Sequence, residues 1–181
     1  VPSVKVIDAK GMIITPPFFN GHAHVPMSLL RGLGDDSPLK IWLEKYIWPA
    51  EAKYVNPDFV YLGSLLSGIE AIRSGTNIFA DMYFFEEEVA KASSSLGLRT
   101  ILGEGILDFP TPNMKDPDSG FAYSEKLIEK YTDSELVSMS IPAHAPYTCS
   151  EENLRKVALF SKKYGIPATI HLSETKEEVA Q

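Results

Sequence analysis

PDFVYLGSLLSGIEAIRSGTNIFAD, residues 57–81, changes period partway along its length. Val60, Leu62, Leu65, Leu66, Ile69 and Ile72 recur near helical spacing until Gly75 ends the run, and residues 76–81 (TNIFAD) then read as a short apolar strand. A helix delivered directly into a strand is half of a βαβ unit, and the same alternation continues downstream. Residues 86–96 read as a helix stopped by Gly97, 99–107 contain a strand, 124–131 read as a helix and 136–143 as a strand. Ser150 is a good N-cap for a helix running through Tyr164 with Gly165 behind it, and residues 167–172 (PATIHL) form one more strand. Upstream, residues 38–46 carry apolar groups near helical spacing, and the apolar run 18–24 ends in two histidines.

Strands that alternate with helices imply a parallel sheet, because parallel neighbours need crossover connections. An open doubly wound sheet and a (β/α)8 barrel both fit. The chain offers about five such strands, whereas a closed barrel takes ~250 residues. The expected class is therefore α/β: a partial (β/α)8 TIM-type barrel made of about the first five strands, over residues 16–181. Residues 4–8 (VKVID) and 12–15 (MIIT), separated by Lys10-Gly11, give a hairpin signal. Residues 1–15 are taken as the remnant of a small accessory β-sandwich domain. Val1 leads almost at once into an extended run, and 173–181 read as a helix that has only begun, so both ends look cut from something longer. Residues 108–120 (DFPTPNMKDPDSG) are the one long Pro/Asp/Gly-rich loop, a natural place for a mobile surface segment.

Composition narrows the function. With 181 residues, 44% hydrophobic and 23% charged, the chain has the balance of a globular protein. A net charge of −7 without a Lys/Arg stripe argues against a nucleic-acid partner. No stretch approaches the ~18 apolar residues a membrane span requires, and the single cysteine, Cys149, has no intramolecular partner. With no basic and apolar leader at the start, the simplest expected location is cytoplasmic. Cys149 precedes a helix with no base near it in sequence, and is read as inert.

Chemistry gathers where the apolar strands end: His22 and His24, Asp81, Glu104, His144, then His171 with Glu174. In parallel α/β folds that edge is where active sites are assembled. Two residues apart on a strand, His22 and His24 present both imidazoles on one face while Ala23 turns to the other. Neutral imidazoles suit a divalent metal such as Zn²⁺, and catalytic sites take about three protein ligands, which makes His171 the natural third. A pair of surface or hydrogen-bonded histidines stays open as the plainer account. Glu174 stands where it could reach a water or substrate, or else serves as an N-terminal helix acid. His144, bracketed by Pro142 and Pro146, suits either substrate contact or a structural turn.

Taken together, FNGHAH (19–24), MSLLRG (27–32), Asp35-Asp36, Trp42-Leu43, Trp48-Pro49 with Glu51, DMY (81–83), HAPYTCS (144–150) and HLSET (171–175) resemble the 5-methylthioadenosine/S-adenosylhomocysteine deaminases of the amidohydrolase superfamily. The match runs the length of the chain, and the related branch includes guanine and cytosine deaminases and triazine chlorohydrolases. The resemblance implies one divalent metal, zinc by default with iron, nickel or manganese as alternatives, held by His22, His24 and His171 with an aspartate on the last barrel strand that this chain does not contain. It implies Glu174 as proton shuttle and substrate contact, and Glu51 and His144 as substrate-binding residues. Glu51 could equally be a solvated helix-end acid. The partner implied is a small-molecule nucleoside or heterocycle, with neither nucleic acid nor membrane, and homo-oligomerisation is left open. Where some members carry an arginine on the third strand to grip an anionic tail, this chain has Glu104, which favours a neutral nucleoside. The reaction implied is hydrolytic deamination of an adenosine-like nucleoside. Hydrolysis of another aminated or halogenated heterocycle stands beside it, as does a catalytically incomplete fragment whose open edges favour association.

Overall fold

The computed structural model describes residues 5–180. Strand β1 (Phe18–Ala23) is followed by a 3-10 turn (Val25–Leu30) and three helical pieces: α1 (Leu39–Trp42) continuing through a wide turn over Leu43–Ile47, α2 (Trp48–Tyr54), and α3 (Pro57–Arg73). Then come β2 (Thr76–Tyr83), α4 (Glu86–Ser95), β3 (Arg99–Glu104), α5 (Pro117–Tyr131), β4 (Val137–Met139), β5 (Ile141–Ala143), α6 (Glu151–Tyr164), β6 (Ala168–Ile170) and the short α7 (Lys176–Val179). Strands β1, β2, β3 and β4 pair in that order and β5 pairs with β6, every ladder parallel.

Helix boundaries follow local chemistry. Asn56 Oδ1 accepts from Phe59 N to open α3, with Pro57 behind it at the position where a missing N–H costs nothing. Ser150 opens α6, and Gly165, at φ +66°, closes it. The expected strand over 136–143 is instead two short ones. Leu102 O still accepts from Ser140 N (2.7 Å), and Pro142 O from Ile106 N (3.1 Å), so β3 and its continuation run beside both halves. Pro142 brings no N–H to the ladder, and Ser140 separates the two halves. Gly103 permits the close approach: a Cβ there would meet Pro142 Cδ at 2.5 Å.

Helix α5 starts earlier than its apolar spacing indicates. Asp116 and Ser119 form a reciprocal capping box with Pro117 at the first position, so Pro117–Gly120 belongs to the helix rather than the loop. At the N-terminus, Met12 N donates to Ala9 O and Gly11 adopts φ +79°, giving the expected turn. Residues 5–8 and 12–15 nevertheless form no strand, and Val4 lies outside the described residues. An isolated two-stranded ribbon is marginal without a third strand or a helix to cover it.

Two apolar clusters fill the interior. Val60, Phe79, Val89, Leu98, Leu102, Leu127 and Val137 pack between the four-stranded sheet and helices α3 to α5, while Ile106, Ile141, Cys149 and Val157 pack beneath α6. Among the described residues β1 and β6 each have one unpaired edge, and Phe18, Leu62, Ile69 and Leu172 are exposed. No described helix is long and apolar enough to cross a membrane.

Candidate metal centre and its cavity

The carboxyl ends of β1 and β6 bring three imidazoles to one point. The ring nitrogens of His22, His24 and His171 lie within 4.8 Å of one another, and their Nε2 atoms form a near-equilateral triangle with sides of 3.1, 3.2 and 3.3 Å. His22 is the penultimate residue of β1 and His24 the first beyond it, while Ala23 between them turns into the apolar core. His171 follows β6 directly.

Backbone carbonyls fix two of the rings. His24 Nδ1 donates to Met82 O at 2.6 Å, and His171 Nδ1 donates to His144 O at 2.8 Å. A carbonyl can only accept, so the proton of each neutral ring sits on Nδ1 and each Nε2 faces the triangle with a bare lone pair. Two lone pairs 3.2 Å apart repel unless a cation lies between them. A tetrahedral ion bound ~2.0–2.1 Å from each nitrogen would hold them ~3.3 Å apart, so the donor set fits a divalent metal in spacing and in chemistry. Burial holds His24 at a pKa of about 4, against the opposing pull of the Met82 carbonyl, and His144 likewise at about 4. Both therefore stay neutral near pH 7, which for His24 is what ligation requires.

A cavity of about 260 Å³ opens beside the triangle, lined on the histidine side by His144, Tyr147 and Glu174 and elsewhere by Trp42, Trp48 and Glu51. That is below the ~300–1,000 Å³ usual for ligand pockets. Glu174 is held from two directions. Tyr147 Oη donates to Glu174 Oε2 at 2.7 Å, and the Glu178 carboxylate accepts from Ser173 N (2.7 Å) and Glu174 N (2.9 Å). Ser173, at φ +61°, is a non-glycine residue in the left-handed region, a strained backbone that persists only where its surroundings enforce it. His144 Nδ1 bonds Thr148 Oγ1 at 2.8 Å. Glu51 on α2 is 6% exposed, and burial raises its carboxyl to about 7 while the Tyr83 phenol beside it opposes the rise.

All six expected site residues thus line one cavity. Glu104 does not: fully buried, it accepts from Phe85 N, Glu86 N and Asn113 Nδ2 at the head of α4. Cys149 is buried with its thiol donating to Ile106 O, and burial raises its pKa, which suits an inert role. Tyr147 and Glu178 were not singled out from sequence. Tyr147 lies inside the HAPYTCS run, but the spacing of Glu178 resembles that of any early helix acid.

Over residues 13–181 the chain matches the Amidohydrolase family. It belongs to that family. An Aquifex aeolicus 5-methylthioadenosine/S-adenosylhomocysteine deaminase is 51% identical over 173 residues, 96% of this chain and 40% of the relative. A 5'-deoxyadenosine deaminase of Methanocaldococcus jannaschii is 45% identical over 182 residues, 99% of this chain and 42% of that protein. Among solved structures, an adenosine deaminase from Xanthomonas campestris with bound zinc superposes with a TM-score of 0.88 at 38% identity, covering 91% of this chain and 38% of that one. The chain therefore spans about 40% of the length of the curated relatives it matches. Its parallel α/β fold is part of an amidohydrolase TIM-type barrel.

Proposed function

We propose that this chain supplies the first five strands of a barrel that hydrolytically deaminates an adenosine-like nucleoside, with His22, His24 and His171 holding one divalent metal, zinc in the first instance. The observation that carries the reading is the triangle of Nε2 atoms, of which those of His24 and His171 bear lone pairs, with a carboxylate, Glu174, on the wall of the same cavity. The zinc reported with the Xanthomonas campestris deaminase supports the choice of metal, and the names of the Aquifex and Methanocaldococcus relatives support the substrate class.

A divalent cation supplies Lewis acidity and a nucleophile from water at neutral pH. Glu174, on the cavity wall, would take a proton from the water attacking the amine-bearing ring carbon and return it toward the ring nitrogen and the departing amine. The C–O bond forms, the C–N bond breaks, and ammonia leaves: water in, ammonia out, with no oxidant or reductant. Tyr147 and Glu178 hold Glu174 in place for that transfer. Glu51 contacts the sugar hydroxyls, and His144, restrained by Thr148, contacts the nucleoside. Glu104, tied to the head of α4, leaves an anionic substrate tail without a countercharge on this strand, in keeping with a neutral nucleoside. Residues 1–15 go with an accessory sheet completed by the rest of the polypeptide, and a cytoplasmic location goes with the same reading.

The test is metal analysis and ammonia release by the protein extended to the length of its relatives. The substrate panel is adenosine, 5'-methylthioadenosine, 5'-deoxyadenosine, S-adenosylhomocysteine, guanine and cytosine. His22→Ala and His171→Ala should each lose metal and activity together. Full activity in either variant removes the metal-site assignment, and a preference for guanine or cytosine removes the nucleoside.

A further inference from the structure

The DMY run at 81–83 ends β2: Met82 gives its carbonyl to His24, Tyr83 sets its phenol beside Glu51, and Asp81 faces the turn after His24. The turn after His24 is gripped from two sides. On the α3 side, Ser67 Oγ donates to Val25 O (2.8 Å), Ser28 Oγ donates to Gly63 O (3.0 Å), and Pro26 rests directly on Gly63. On the β2 side, Asp81 Oδ1 accepts from Val25 N at 2.7 Å. The peptide joining His24 to Val25 is thereby held at both ends, because its carbonyl oxygen accepts from Met27 N at 2.9 Å. Asp81 touches the link from which the His24 ring hangs, and is itself buried at 4% exposure.

A buried carboxylate needs compensation, and no cation supplies it: none of the ion pairs among the described residues involves Asp81, Glu86 or Glu104. Glu86, fully buried at the start of α4, meets Asp81. Asp81 Oδ2 and both Glu86 carboxyl oxygens are buried without a donor. Two carboxylates in contact in a dry interior do not both ionise, and one proton between them satisfies Asp81 Oδ2 and one Glu86 oxygen together. Burial raises both carboxyls, Asp81 to about 7 against the opposing pull of Val25 N, while the Asp81 charge adds to the rise of Glu86, so the proton rests on Glu86. Burial first, and then the neighbouring Asp81 charge, push the Glu86 carboxyl well above its usual range, in the same sense.

We propose that Asp81 is a positioning residue for the metal centre: through its bond from Val25 N it fixes the His24–Val25 peptide so that His24 Nε2 stays within ligand distance of His22 and His171, without touching the ion. The inference rests on the metal-site reading above and adds to it a buried acid pair assigned to ligand geometry.

The experiment loads the extended protein with Co²⁺, measures affinity by competition with a chromophoric chelator, records the visible spectrum of the bound ion, and follows the melting of the metal-free form. Removing an outer partner of a metal ligand costs ~10–100-fold in affinity, and Asp81→Ala should fall in that range with an altered Co²⁺ spectrum. Asp81→Asn keeps an oxygen for Val25 N and should recover affinity to within about tenfold of wild type. Glu86→Gln donates the same hydrogen bond as the protonated acid and should hold metal within about threefold. Asp81→Ala with unchanged affinity and spectrum overturns the proposal, as does an effect confined to melting of the metal-free form. Should Asp81→Ala not fold, a loss of more than a hundredfold in Asp81→Asn overturns it instead, because the acceptor geometry is then not what matters. A Glu86→Gln loss as large as that of Asp81→Ala removes the shared proton. If wild type takes up no Co²⁺, or His22→Ala binds it as tightly, the metal-site reading fails and this inference with it. If that control behaves and Asp81→Ala is silent, only the role of Asp81 fails.

Discussion

Gly63→Ala and Gly68→Ala are the same substitution on the same buried face of α3, and they should have opposite outcomes. In an ordinary helix interior each gains up to about 1 kcal/mol from the better propensity of alanine. At Gly68 the new methyl would meet Leu96 Cδ1 at 2.5 Å and the buried Leu98 Cδ1 at 3.1 Å, both far ends of leucine side chains, of which the closer, Leu96, can rotate away. At Gly63 it would meet backbone: Pro26 O at 2.5 Å, Cα at 2.9 Å and C at 3.0 Å. Pro26 cannot swing aside, because its ring fixes φ and its turn is tied to α3 through Ser28 and Ser67. Overpacking of that kind costs about 1–3 kcal/mol, which leaves Gly63→Ala destabilised by up to about 2 kcal/mol net and Gly68→Ala neutral or slightly stabilised. The turn being displaced follows His24 directly, so Gly63→Ala should also weaken metal retention while Gly68→Ala does not. Urea denaturation of both variants, with metal competition on the same samples, measures the contrast. Equal stabilities, or a Gly63→Ala protein that retains metal like wild type, would refute the claim that α3 sets the position of the histidine turn.

Other expectations follow from the site and its surroundings. Glu174→Gln should keep its metal and lose about 10²–10⁴-fold in kcat, the usual contribution of a positioned proton carrier, read from ammonia release beside metal analysis. Glu178→Ala frees Ser173 N and Glu174 N and should lower kcat while leaving metal content unchanged; a loss of metal instead would mean that the loop positions His171 rather than Glu174. Burial raises the Glu104 carboxyl from 4.5 to about 7, so the folded chain holds a proton there that the unfolded chain has released. Its contribution to stability is present below pH 4.5 and is lost as pH rises toward 7, and Glu104→Gln should make the pH dependence over that window less steeply falling. Denaturation midpoints at several pH values decide it, and an unchanged slope would mean that Glu104 is ionised in the fold.

Where the sequence was misleading, the cause is either local chemistry that serves a turn and a helix start alike or a neighbour distant in the chain. The Asp-Pro-Asp-Ser-Gly run at 116–120 has a loop-like composition, yet Asp116 and Ser119 cap each other and Pro117 starts the helix, so turn chemistry here is helix-start chemistry. The strand at 136–143 divides at Ser140, ahead of Pro142, which brings no N–H to the ladder, so β4 pairs with β3 and β5 with β6. Glu104 looked like a pocket residue at the end of its strand, and the unfilled N–H groups at the head of α4 drew it inward.

Much short-range physics was legible in the sequence: α3 from its apolar spacing and the Gly75 stop, α6 from the Ser150 cap and Gly165, and the H-x-H pair from the period of a strand. Neighbours within a few residues set those features. Tertiary structure alone decided the rest. The carbonyl of Met82, 58 residues from His24, and that of His144, 27 residues from His171, set which nitrogen of each ring carries its proton. Asp81, 56 residues from Val25, holds the peptide beside His24. Backbone carbonyls look alike at every position in a sequence, and only the folded sheet determines which of them face an imidazole.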